Sequence, residues 1–181
     1  WTLMPRLGLT VFLVSPTAVV GGNPSGGNAR LDGKAPSGGV VVTLSSSDTS
    51  AAAMAASTTI AYGSNLKNFP ISTFGVDITK NVTITGVALG VTKTATLQVR
   101  PATLFSITLL ASTVQGGAST TATITMTGKT GPLGRTVSLS SNSSKVIVPS
   151  TVYVPPQKVA WTFQVQTQAV ASSETYTITA V

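Results

Sequence analysis

Cysteine and histidine are both absent from this 181-residue chain, and acid is scarce: four Asp and Glu face eleven Lys and Arg, a net charge of +7. Without cysteine there is no disulfide, so packing and hydrogen-bonded ladders must hold the fold, and the redox compartment stays undetermined. Without His or Cys, the familiar catalytic triads, dyads and tetrahedral zinc sites cannot be built. Serine–lysine pairs occur only because serine is everywhere. The carboxylates Asp32, Asp48, Asp77 and Glu174 stand apart in sequence, unlike the dense oxygen cluster that calcium prefers. The expectation is therefore no enzyme, no cofactor and no metal.

The basic residues are dispersed as well: one at Arg6, six among residues 9–100 and four among residues 101–181. Such a scatter leaves weak attraction to anionic polymers but no footprint for specific nucleic-acid binding. Aromatic residues are only 6 %, too few and too scattered for a sugar- or base-stacking platform. No apolar run approaches the ~18 residues of a membrane span. Arg6 followed by Leu7-Gly8-Leu9-Thr10-Val11-Phe12-Leu13-Val14 imitates a secretion signal. The same pattern recurs in mid-chain, however, so it reads as a first strand.

What is present is repetition. Residues 9–47 align without a gap on residues 104–142, Gly21-Gly22 falling on Gly116-Gly117 and Gly33-Lys34 on Gly128-Lys129. After one deletion, Phe69-Pro70-Ile71 matches Phe163-Gln164-Val165, and Val82-Thr83-Ile84-Thr85-Gly86 matches Tyr176-Thr177-Ile178-Thr179-Ala180. A fixed period marks an array of like domains. The division expected is an extension at residues 1–8, a first domain at 9–100 and a second at 101–181.

Apolar residues alternate with Thr and Ser, the period of half-buried strands. Ala122-Ile124-Met126, Val137-Leu139, Val152-Val154, Trp161-Phe163-Val165 and Tyr176-Ile178-Ala180 should face a core, as should Ile71, Val82-Ile84 and Ala95-Leu97-Val99. Phe12, Tyr62 and Tyr153 lie outside so clean a register. Turn chemistry separates the runs: Gly21-Gly22-Asn23-Pro24, Asp32-Gly33 (read as a hairpin turn), Gly131-Pro132 and Pro155-Pro156. Residues 51–57 have helical propensity, but their counterpart Val146-Ile147-Val148-Pro149 reads as a strand. A strand or irregular crossing is favoured there, a short helical turn being the other option. Gly128-Lys129-Thr130 imitates the end of a phosphate loop but lacks the earlier glycine, Thr123 standing in its place. Short strands at this spacing predict an all-β chain of two sandwiches.

The strings Val42-Thr43-Leu44-Ser45-Ser46, Val148-Pro149-Ser150-Thr151-Val152-Tyr153-Val154-Pro155-Pro156, Trp161-Thr162-Phe163-Gln164-Val165 and Tyr176-Thr177-Ile178-Thr179-Ala180 resemble the tandem immunoglobulin-like repeats of bacterial surface and secreted proteins. The resemblance implies two tandem immunoglobulin-like sandwiches, an extracellular or cell-surface location, and service as stalk, adhesin module, filament subunit or accessory domain of a secreted enzyme.

One segment is unmatched. The first copy continues through Gly90-Val91-Thr92-Lys93-Thr94-Ala95-Thr96-Leu97-Gln98-Val99, and the second reaches Val181 without a counterpart. A sandwich without its last strand exposes an edge that invites pairing with another chain. Three missing apolar side chains forgo roughly 4–8 kcal/mol of burial, against about 5–15 kcal/mol for a whole domain. Thr2-Leu3-Met4-Pro5-Arg6 resembles Thr96-Leu97-Gln98-Val99-Arg100. The sequence thus suggests Trp1, Thr2, Leu3, Met4 and Arg6 as a donated strand, and Tyr176, Ile178, Ala180 and Val181 as the accepting edge of the next copy. A head-to-tail homopolymer follows. A stalk or adhesin piece without strand exchange, or a carbohydrate-binding module with surface polymers or glycans as partners, are the alternatives.

Overall fold

The computed structural model describes residues 6–181. It is all-β, with no helix among the described residues, and its strands fall into two face-to-face sandwiches. The first is built from β1 (Leu9–Ser15), β2 (Ala18–Val20), β3 (Ser25–Leu31), β4 (Val40–Ser46), β5 (Ala52–Ala53), β6 (Ser57–Ile60), β7 (Leu66–Thr73), β8 (Lys80–Ala88) and β9 (Val91–Arg100). One layer runs β1-β3-β7-β5 and the other β2-β9-β8-β4-β6. These are the two layer orders of an immunoglobulin sandwich, with β6 added beside β4 and β2 beside β9. Pairing is antiparallel throughout except for β2 on β9, which is parallel. A two-residue turn at Leu89-Gly90, both at positive φ (52° and 76°), closes the β8–β9 hairpin, the backbone such tight hairpins require.

The second sandwich repeats the plan with β10 (Leu104–Leu109), β11 (Ser119–Met126), β12 (Arg135–Ser141), β13 (Val146–Ile147), β14 (Thr151–Val154), β15 (Ala160–Thr167) and β16 (Ile178–Ala180). Its layers are β10-β11-β15-β13 and β14-β12-β16. The second layer therefore has three strands where the first sandwich has five. Residues 51–57 cross between layers without a helix: β5 pairs with β7, and β6 returns to β4.

Strand alternation carries the cores as the period demands. Val42, Ile60, Ile71, Val82, Ile84, Leu97 and Val99 are buried in the first, and Ala122, Ile124, Met126, Val137, Val154 and Val165 in the second. Phe12 belongs to the core after all, its ring stacked on Phe69 with centroids 5.7 Å apart. The pair lies over two glycines, since a Cβ on Gly27 would overlap Phe69 and one on Gly86 would overlap Phe12. Their counterparts in the second sandwich are Ala122, Ala180, Ile107 and Phe163. Bulk gained on the backbone there is surrendered by Phe12 becoming Ile107. Trp161 departs from its expected core place and is 40 % exposed. Its counterpart Lys67 is exposed too, so that strand position lies beyond the facing layer in both sandwiches.

Asp32-Gly33 is not a hairpin turn, because β3 and β4 lie in different layers. Asp32 instead accepts the Gly8 N–H at 3.0 Å through Oδ1, while the Asp32 N–H donates to the Gly8 carbonyl. The second copy repeats this clasp. The Thr103 N–H donates to Thr127 Oγ1 at 3.0 Å, and the Thr127 N–H to the Thr103 carbonyl at 2.9 Å. The chain therefore enters both sandwiches by the same bonds.

Candidate functional site: the open edge of the second sandwich

In the first sandwich β9 is the only ladder partner of two segments. It alone pairs with β2, through Ala18, Val19 and Val20. It alone pairs with Lys80, Asn81 and Val82, because β4 reaches β8 only from Ile84 to Val87 and Ser47, just past β4, bonds Thr83. No strand takes the place of β9 among the described residues of the second sandwich. The counterparts of those two segments, residues 113–115 and 174–176, are not strand.

The free side of β16 follows from the alternation of antiparallel bonding. Val181 exchanges both backbone bonds with Ser138 at 2.9 Å, and the Thr177 carbonyl accepts from the Asn142 N–H. The register pairs Thr179 with Ser140. Thr177, Thr179 and Val181 thus turn their backbone groups to β12. Tyr176, Ile178 and Ala180 present theirs to the opposite, unpaired side. Three of the four residues expected at an accepting edge lie there, and Val181 does not.

Beside this edge runs a groove of about 250 Å3. One wall is residues 111–114 with Gly116, the other residues 173–176, and Val146 and Val165 lie beneath. Ile178 and Tyr176 are half-buried where Ile84 and Val82 are sealed. A strand in the position of β9 would fill that space. A larger concavity of about 830 Å3 lies on the outer face of β1, β3 and β7, near Leu13, Arg30 and Asn68. Its middle strand, β3, is paired on both sides, so that face offers side chains.

At the mouth of the groove the Tyr176 hydroxyl donates to Glu174, whose other oxygen meets Lys145 Nζ at 3.4 Å. The tyrosine hydroxyl, chiefly, holds the Glu174 carboxyl below its ordinary range, with Lys145 helping. The same bond raises the Tyr176 phenol, since it favours the protonated form. In the first sandwich Lys80, the counterpart of Glu174, meets Asp48 at 3.4 Å. The ion pair keeps its place with its charges exchanged. Both pairs are exposed and contribute little stability.

The sequence reading gave the Gly128-Lys129 turn no role, and the structure does. The Lys129 N–H donates to the Gly21 carbonyl at 2.7 Å, joining the sandwiches. Gln157 clasps Gly75 at both backbone groups, accepting its N–H at 3.0 Å and donating to its carbonyl at 3.1 Å. Asp77 accepts the Leu133 N–H at 3.2 Å. Gly75 admits no side chain, because a Cβ there would overlap the Thr130 carbonyl. The repeated glycine pairs were a visible signal for this joint, while Gln157 gave none.

Arg6 is exposed and outside any strand. Trp1, Thr2, Leu3 and Met4, expected as donor residues, lie outside the described residues. The described residues contain no group of three His, Cys, Asp or Glu side chains placed to hold a metal, and no helix long and apolar enough to cross a membrane.

No protein-family model and no curated protein matches the chain. Among solved structures, the D0-D1 domain of intimin is similar over 95 % of this chain and 90 % of its own, at 15 % identity and a TM-score of 0.41. A chimeric titin Z1Z2-Z1Z2 tandem functionalized with a GRGDS exogenous peptide from fibronectin is similar over 97 % and 92 %, at 14 % identity and a TM-score of 0.31. By its own layer order and register, the chain is a tandem of two immunoglobulin-like β-sandwiches.

Proposed function

We propose that the chain is a structural element of an extracellular or cell-surface assembly, whose copies join head to tail by β-strand addition. Residues 1–6 of one copy serve as donor, and the edge at Tyr176 and Ile178 of the next as acceptor. One observation carries this reading: the open β16 edge, at the place that β9 fills in the first sandwich. Unpaired backbone groups beside an apolar groove are what an extended segment adds to. The shared clasp supports the direction of donation. Arg100 leads from β9 into the Thr103–Thr127 clasp, and Arg6 leads into the Gly8–Asp32 clasp. A contact between unlike ends leaves each copy with a free donor and a free acceptor, so it propagates unless the rotation closes a ring.

Electron microscopy and sedimentation of the purified chain, with and without residues 1–6, test the proposal. Fibres that vanish on deletion support it; a monomer in both cases refutes it. The joint favours a second reading, a stiff stalk segment whose closing strand belongs to the same polypeptide. Under that reading deletion of residues 1–6 changes nothing.

A further inference from the structure

We infer that strand capture at the β16 edge is coupled folding and binding with a fixed direction and register, in which residues 113–115 and 174–177 become strand as the donor arrives. The inference rests on the strand-addition reading and specifies how its acceptor works. The occupant is an extended segment with the pattern of β9, which residues 1–6 of a second copy supply.

The register is set by the first sandwich. There Val82 faces Leu97, Ile84 faces Ala95 and Lys80 faces Val99 across the ladder. Replacing Val82 and Ile84 by Tyr176 and Ile178 puts an apolar donor side chain opposite each, above Val146 and Val165 at the groove floor. The donor runs antiparallel to β16. On its other side it runs parallel to residues 113–115, as β9 does to β2. One arriving strand thus offers ladder partners to both irregular segments at once, except that Pro5, in the place of Val99, has no N–H for the Glu174 carbonyl. Val114, half-buried in the groove wall, takes the place of Val19, which is buried against the first core.

Tyr176 is the side chain that must respond. Its hydroxyl is held by Glu174 at the groove mouth, while its counterpart Val82 is sealed under β9. The tyrosine ring already packs against the Ala122, Val146 and Val165 cluster, and a covering strand would close its remaining exposure. Capture should therefore bury the phenol further, and its fluorescence and the acid titration of the site should change with it.

The test compares amide hydrogen exchange in three proteins: the whole chain, the chain without residues 1–6, and the latter extended after Val181 by a copy of residues 88–100. That extension carries the Leu89-Gly90 turn, so it can fold back on β16 as β9 does on β8. The amides that face the donor, those of Val114, Glu174 and Tyr176, should exchange at least about tenfold more slowly in the whole chain and in the extended one than in the truncated chain. Lysine in place of leucine in the copied Leu97 position should remove that protection. Protection in the extended chain but not in the whole chain supports the register and refutes donation by a second copy. Equal, fast exchange of both segments in all three overturns the inference.

Discussion

Residues 80–83 and 174–177 occupy the same place in two sandwiches with the same layer order, yet one is strand and the other is not. Local preference points the wrong way: Glu-Thr-Tyr-Thr holds more β-favouring residues than Lys-Asn-Val-Thr. Preference does not separate the other pair either, since Ala-Val-Val in β2 and Thr-Val-Gln at residues 113–115 hold two β-favouring residues each. What separates the halves is β9, the ladder partner of β2 and of Lys80 to Val82, since Ser47 holds Thr83 much as Asn142 holds Thr177. In a small sandwich a β-capable segment becomes strand only when a neighbour takes up its backbone groups.

The largest test removes β9's contribution from the half that has it. Leu97 is fully buried, and Leu97→Ala should cost the first sandwich about 2–5 kcal/mol. Urea unfolding would report the loss, and exchange at residues 18–20 and 80–83 should rise toward that of residues 113–115 and 174–177. Next is the core exchange between the halves. Gly86→Ala should cost roughly 1–3 kcal/mol by crowding the Phe12 ring, whereas Gly86→Ala with Phe12→Ile, the combination the second sandwich uses, should recover part of it. A double-mutant cycle with additive effects would show that the compensation between the halves is not physical.

The joint gives a smaller effect. Gln157→Ala leaves both Gly75 backbone groups without their partner, for about 1–3 kcal/mol, and X-ray scattering should register a wider spread of inter-sandwich angles. Unchanged scattering would mean that Lys129 and Asp77 hold the joint without it. Smallest is the acid response. Asp48, held low first by the Ser50 hydroxyl, and Glu174, held low first by Tyr176, both sit below their ordinary values. A depressed carboxylate contributes stability above its unfolded pKa, and that contribution fades as pH falls through the folded one. Each sandwich should lose a little stability on acidification below the ordinary carboxylate range. Tyr176→Phe should reduce the response in the second sandwich alone.

Much of this was legible in the residues. The period of two in β11 and β12, and the gapless match of residues 9–47 to 104–142, led directly to two sandwiches with these cores. The unmatched segment directed attention to the stretch holding Tyr176, Ile178, Ala180 and Val181, whose strand β16 has no partner on its outer side among the described residues. Contacts far apart in sequence were hidden. Asp32 looked like turn chemistry because its partner, Gly8, is reached only when the chain enters the sandwich. Trp161 kept the inward phase of β15, but phase does not say where the facing layer ends. Val181 seemed part of the accepting edge until its bonds to Ser138 fixed which way β16 alternates. Gln157 is one glutamine among several, and only the approach of the two sandwiches gives it Gly75.

The most direct measurement is residue-resolved hydrogen exchange on the monomeric chain lacking residues 1–6. Slow exchange at residues 18–20 and 80–83, beside fast exchange at 113–115 and 174–177, is what dependence on a neighbouring ladder predicts. Comparable protection of all four segments would mean that the second sandwich orders itself without a ninth strand, and the account would be wrong.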